Sequence, residues 1–297
     1  MKTEQAATSS EAPSQESASP DALYEPRPCL DKGFVRLVDY MGGDDAIVQA
    51  ARVSYGKGTK KTSVDRGLIR YLMRHAHTTP FEMVEFKFHV KLPIFVARQW
   101  IRHRTANVNE YSGRYSIMED EFYAPRQNDI HFQSRLNKQG RDSAEPPEAL
   151  RDRFRSITVK TGEDSYTEYK EFIGEDLARE LARINLPISL YTQWYWKIDL
   201  HNLFHFLRLR MDDHAQYEIR VYATAMAGIV KHIAPLAYEA FEDYSINAVS
   251  FSGPELRLLG GRLADLDIAE SDAKAAGVSK RELKELQNKL KKIRNIK

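Results

Sequence analysis

The chain has a single cysteine, Cys29, in 297 residues. An internal disulfide and a multi-cysteine zinc site are therefore excluded. Such sparing use of cysteine fits a reducing compartment. No apolar run approaches the roughly 20 residues that a membrane-spanning helix needs. The first 20 residues have no apolar core and carry three glutamates, which argues against a secretory or transit signal. The expectation is a cytoplasmic protein with no membrane partner. Net charge is also scarce: 44 Lys plus Arg against 42 Asp plus Glu leave only +2. Any anion binding has to be local. There is no internal repeat, no Gly-rich dinucleotide fingerprint and no G-x-S-x-G elbow. Cys29 lies far along the chain from every polar cluster. With nucleophiles so poorly supplied, the chemistry falls to a cofactor, and the protein provides orientation and electrostatics.

At this length, with 42% apolar residues, the chain can bury the core of one large domain or two small ones. Residues 1–23 are rich in Ser, Ala, Glu, Pro and Thr. They cannot offset their ordering entropy and are expected to be a disordered tail. A folded domain is expected over 24–254. Residues 34–39 read as a strand, 44–55 as a helix, and Ser63 as the cap of a helix to His75. Over 83–91, Val84, Phe86, Phe88 and Val90 alternate with Glu85, Lys87, His89 and Lys91, which predicts a half-buried strand. Pro93 opens a helix that runs into Arg102-His103-Arg104 and then a turn-rich loop to Ser116. Residues 119–143 read as irregular, and 147–183 as helical with a break at Gly174. A second alternating stretch covers 189–198. Asp199 can cap a helix to Arg210, and Asp212 or Asp213 the next, to His232. Strands and helices are segregated along the chain, so the expected class is α+β. Past Pro254 a charged helical extension over 255–297 is expected. It comprises a helical stretch over 255–275 and a last helix opened by the capping box Ser279-x-x-Glu282.

Three polar clusters compete for function. The first is 99–116, with Arg102, His103, Arg104 and Arg114 among Ser and Asn residues and only one acid, Glu110. Arginine offers a rigid fork of donors suited to phosphate. The stretch reads either as a pocket for an anionic planar ligand or as a basic helix end capped by a polar turn. The second cluster runs from Arg183 to His214, with polar residues on several faces of a Leu/Phe-rich helix. It reads either as the wall of a polar cavity or as an ion-paired helix. The third is His75-x-His77 with Glu82 and His89. Its spacing gives a metal site little support, and no metal is expected. From these clusters alone, a nucleic-acid-binding module using 102–114 and the basic last helix, and a metal-dependent phosphohydrolase, stay open beside a cofactor enzyme.

Arg102-His103-Arg104, seven residues and then Ser112 resembles the signature of the flavin-dependent thymidylate synthases, the Thy1 family. The likeness extends in order through H-T-T-P-F-E at 77–82, F-V-A-R-Q-W at 95–100, N-E-Y-S-G-R-Y at 109–115 and R-M-D-D-H-A-Q-Y-E at 210–218. The resemblance implies a Thy1-like fold, an antiparallel sheet packed with a helical core, in a homotetramer with shared active sites. It implies reductive methylation of dUMP to dTMP, with 5,10-methylenetetrahydrofolate as carbon donor and NADPH as reductant through FAD. Carried over residue by residue, Gln99, Arg102, Glu110, Ser112, Gly113, Arg114, Arg183 and Arg210 would line the dUMP site, with Arg210 catalytic. FAD would meet Ser54, His77, Thr79, Glu82, Arg102, His103, Arg104 and Glu110, with Asp199, His201 and His205 from another subunit. The family often shows Asn, Arg and Asn at those last three positions, so the flavin contact there is expected to differ. The partners implied are small molecules and not nucleic acid.

Overall fold

The computed structural model describes residues 20–53, 65–135, 140–260, 262 and 266–294. Contacts divide the chain into two units, residues 1–246 and 247–297.

In the first unit, β1 (Arg27–Cys29) and β2 (Gly33–Met41) lead into α1 (Asp44–Val53) and α2 (Asp65–Arg74). A 3-10 turn (Thr79–Met83) feeds β3 (Glu85–Pro93), α3 (Ile94–Trp100) and β4 (Asn107–Glu110). The long helix α4 (Glu148–Gly174), the single turn α5 (Arg179–Ala182) and a 3-10 turn (Arg183–Asn185) follow. The unit closes with β5 (Tyr191–Asp199), α6 (Leu200–Arg210), α7 (Tyr217–Ile233) and α8 (Pro235–Phe241). The sheet order is β1-β2-β3-β5-β4, antiparallel throughout. The class is α+β, as the segregated pattern predicts.

The two alternating stretches become the central strands. Phe86, Phe88 and Val90 of β3 and Trp194, Trp196 and Ile198 of β5 turn one face inward, onto Trp100 of α3, Leu203 and Phe206 of α6 and Tyr222 of α7. The Trp100 ring centre lies 4.7 Å from that of Phe206, 5.2 Å from Trp196 and 5.6 Å from Trp194. Burying each such ring stabilises the fold by roughly 2–3 kcal/mol. A second cluster, Met118, Phe122, Tyr169, Ala182 and Leu190, ties α4 and α5 to the segment after β4. The Tyr169 hydroxyl accepts from the Met118 N–H at 3.1 Å, and the Tyr166 hydroxyl donates to the Met118 carbonyl at 3.0 Å.

Three expectations need correction. Residues 107–110 form a strand, β4, inside the expected loop. All four residues are exposed, so no apolar alternation marks them. Asp212 and Asp213 do not cap α7, which starts at Tyr217 with Gln216 before it. Asp212 instead accepts from the His214 N–H at 2.8 Å in a local turn. The helix expected over 255–275 is two, α9 (Gly253–Gly260) and α10 (Glu270–Ala275). The sequence places two glycines at 260–261, and glycine is a poor helix former. Ser63 lies outside the described residues.

In the second unit α11 (Lys280–Arg294) starts with a reciprocal capping box. The Ser279 N–H donates to Glu282 Oε2 at 2.8 Å and the Glu282 N–H to Ser279 Oγ at 3.3 Å. Leu283 and Leu290 are buried on its inner side, and Ala273 of α10 is buried as well. Among the described residues no helix is long and apolar enough to cross a membrane.

Candidate active site

The residues after α3 form the floor of the site. Trp100 is fully buried in the core, which fixes where the helix ends and where Arg102, His103 and Arg104 emerge. Arg102 and Arg104 are exposed and have no hydrogen bond or ion pair among the described residues. His103 turns inward against Phe206, ring centres 4.9 Å apart. Its Nε2 accepts a hydrogen bond from Arg210 Nε at 3.0 Å. Nε2 as acceptor places the imidazole proton on Nδ1. Burial, then the Arg210 charge and His205, push the His103 imidazole down to about 4, so it is neutral near pH 7. The last residue of α6, Arg210, is thus anchored through one nitrogen. Its two terminal nitrogens have no partner among the described residues.

Antiparallel pairing of β4 with β5 sets the other half. Glu110 lies opposite Trp194, and its Oε1 accepts from the buried Thr192 hydroxyl at 2.8 Å. A tight turn follows, in which the Ser112 carbonyl accepts from the Tyr115 and Ser116 N–H groups at 3.2 and 3.1 Å. Gly113 is buried in this turn, and a Cβ there would stand 3.1 Å from Arg183 Cδ. Arg114 meets Glu180 of α5 at 3.1 Å. The fold therefore brings Arg183 against Gly113, next in sequence to Arg114, from which Arg183 is 69 positions away. Gln99 supplies one more marker: its Oε1 is buried without a hydrogen-bond partner among the described residues. A buried acceptor left open is costly, and a ligand N–H would satisfy it.

The histidines form a third feature. His77, His201 and His205 line one pocket of about 230 Å³ between α2, α6 and α8, together with Phe81, Phe204 and Arg208. Two stretches more than a hundred residues apart thus meet within one chain. Thr79 and Glu82 sit on the 3-10 turn that packs against α6 and β5. Asp199 is not in the pocket lining. Its carboxylate caps α6, accepting from the Asn202 N–H at 2.9 Å and Asn202 Nδ2 at 2.6 Å. Ser54 lies outside the described residues. Sequence reading passed over three neighbours that complete this geometry: Thr192, Glu180 and Tyr244, the last beside the histidine pocket. Thr192 stood on the inward face of an alternating strand, and nothing in the pattern separated it from its apolar neighbours.

His75 and His77 have ring centres 6.3 Å apart, and both pack against Tyr71. Among the described residues no group of three or more His, Cys, Asp or Glu side chains is placed to share a metal, which leaves the phosphohydrolase reading without a ligand set. The arrangement that does exist is a set of exposed and half-buried arginines and a buried open acceptor, with a separate pocket lined by His77, His201, His205 and Arg208 and walled by aromatic rings. It suits a phosphorylated nucleotide and a flat cofactor.

An α+β protein with an antiparallel five-stranded sheet and an arginine-rich site is the class this defines. Residues 36–236 match the family "Thymidylate synthase complementing protein", Thy1. The chain is 54% identical over 271 residues to the flavin-dependent thymidylate synthase of Ehrlichia ruminantium (strain Gardel), covering 91% of this chain and 90% of that protein. It is 55% identical over 284 residues to that of Ruegeria pomeroyi, covering 93% of each. Among solved structures it is similar to a UMP/dUMP methylase, PolB, from Streptomyces cacaoi bound with 5-Br UMP. That match has a TM-score of 0.67 and 32% identity, and covers 74% of this chain and 98% of that one. The chain belongs to the flavin-dependent thymidylate synthase family and is a flavin-dependent methyltransferase enzyme. The nucleic-acid-binding reading gains no support from these relatives.

Proposed function

We propose that this enzyme methylates dUMP to dTMP using FAD, with 5,10-methylenetetrahydrofolate as carbon donor and NADPH as reductant. The single observation that carries the reading is Arg183 packed against Gly113, next to Arg114 in the turn that follows Glu110. A bidentate guanidinium pair suits the nucleotide phosphate. Gln99 Oε1, open and buried, suits an N–H donor of the bound nucleotide. The flavin, when bound, supplies the reducing equivalents.

Arg210 takes the catalytic role. Its free guanidinium face is set at the uracil edge, where a fixed cation favours ionisation of N3 and lets negative charge spread toward C5. Neutral His103 holds Arg210 by accepting from Nε, and so leaves the other two nitrogens for the substrate. His77, Thr79, Glu82, His103, His201 and His205 bind the flavin, with Arg102, Arg104 and Glu110 between the two ligands. Ser112 and Gly113 contact the nucleotide through the turn. Asp199 serves the flavin indirectly, through the start of α6.

We place the catalytic domain at 24–254, around the family match over 36–236, although the contacts divide the chain eight residues earlier, after Ile246. Residues 1–23 and 255–297 flank it. Homotetrameric assembly with shared sites is carried over from the family resemblance, and exposed Arg102 and Arg104 are available to it. A cytoplasmic setting is supported by the lone, buried thiol of Cys29.

The test is spectroscopic. Purified protein should show flavin absorbance that NADPH bleaches, and dUMP tritiated at C5 should release tritium only when dUMP, folate and reductant are all present. A protein unable to take up FAD, or one that bleaches without tritium release, would refute the reading.

A further inference from the structure

Three nitrogen-bearing side chains stand on one face of α6: His201, His205 and Arg208, at intervals of four and three residues. This is the spacing that stacks side chains along a helix. With His77 they line the 230 Å³ pocket whose walls include Phe81, Phe204 and Phe241. No carboxylate is among its lining residues. Arg208 is exposed and has no hydrogen bond or ion pair among the described residues. Elsewhere in this unit Arg52 pairs with Asp65, Arg114 with Glu180 and Arg220 with Asp213.

An uncompensated row of like donors is unfavourable until an anion joins it. The effect already registers on His205, whose imidazole is held below its ordinary value by burial, then by Arg208 and His201. The pocket is smaller than the roughly 300–1,000 Å³ that usually encloses a whole ligand. It can receive one part of a longer cofactor, an anionic group with a flat or apolar neighbour.

We propose that Arg208 is a phosphate-binding residue of the flavin pocket, gripping a phosphate of the dinucleotide beside His201 and His205. The proposal rests on the flavin reading of this pocket and extends it to a residue outside every motif of the family resemblance. Guanidinium is the group of choice for such a contact, since it stays charged and donates two parallel hydrogen bonds to phosphate. The two histidines add donors that are weaker while neutral.

The experiment titrates the full-length protein, freed of flavin, with FAD and separately with riboflavin, which lacks phosphate. Flavin fluorescence reports binding. Arg208→Gln should raise the Kd for FAD by about tenfold or more, the loss of one charge-assisted contact. It should leave riboflavin binding within about twofold, since no charge-assisted contact to phosphate is then at stake. Arg208→Lys, which keeps the charge but not the fork, should fall between. The Kd for FAD should also climb less steeply with salt in Arg208→Gln than in the unmodified protein. An unchanged FAD Kd in folded Arg208→Gln, or equal losses for FAD and riboflavin, overturns the assignment of Arg208 alone. Unmodified protein that binds neither flavin overturns the flavin reading of the pocket, and this proposal with it.

Discussion

Replacing Gly113 with alanine tests the two-arginine wall most directly. The added methyl would stand 2.7 Å from Met118 Sδ, 3.1 Å from Arg183 Cδ and 3.2 Å from Arg183 Nη1. Comfortable contact begins at roughly 3.5 Å. Met118 must retreat by about 1 Å and Arg183 by about half that. Methionine is the most adaptable of core side chains, so the stability cost lies near the low end of overpacking, about 1 kcal/mol. For a domain of this size that lowers the melting midpoint by about 2–4 °C. The ligand pays more. If Arg183 makes the proposed bidentate contact, worth about 1.5–3 kcal/mol, losing half of it weakens dUMP binding by roughly four- to tenfold. Titration calorimetry with dUMP and scanning calorimetry on the same sample separate the two effects. An unchanged dUMP Kd in the folded Gly113→Ala protein would show that Arg183 does not touch the nucleotide. Parallel loss of flavin would show that the turn supports the whole site and not the phosphate.

Arg210→Ala should cut dUMP methylation by about 10²–10³, the usual penalty for losing a donor aimed at developing charge, and leave NADPH-driven flavin reduction intact. Equal losses in both half-reactions would contradict the role given to Arg210. The second expectation concerns acid. His103 is held from its ordinary value of 6.5 down to about 4, so the unfolded chain binds its proton first as pH falls through that interval. Stability should therefore decline from pH 6.5 toward pH 4, by roughly 1–2 kcal/mol after discounting for solvent screening of a half-buried ring. Urea unfolding of His103→Gln, which keeps an acceptor but cannot titrate, should lack that slope; identical slopes would sink the assignment.

The parts of the fold that were legible are those with a period. The alternation of Val84, Phe86, Phe88 and Val90, and of Trp194, Trp196 and Ile198, wrote the two central strands plainly, because one face of each is buried. Asp199 as a cap and Ser279 with Glu282 as a capping box were equally readable, since local hydrogen bonds need only neighbours. β4 was not, because an edge strand exposed on both faces leaves no apolar signal. In the site, the arginines announced themselves by type. What the sequence could not convey was pairing: that Arg183 packs on Gly113, that His103 holds Arg210, and that Thr192 supports Glu110. Those contacts depend on strand register and helix ends, which no local pattern encodes.

All three tryptophans of the chain, Trp100, Trp194 and Trp196, sit in one aromatic cluster. Trp100 lies between Gln99 and the arginines that emerge after α3. The protein consequently has a single origin for its tryptophan emission, placed at the end of α3 that leads into the arginines. A nearby flavin absorbs where tryptophan emits, so cofactor arrival is read as quenching from one position, without an attached dye. A change in that signal on adding nucleotide would report the junction of α3 and β5.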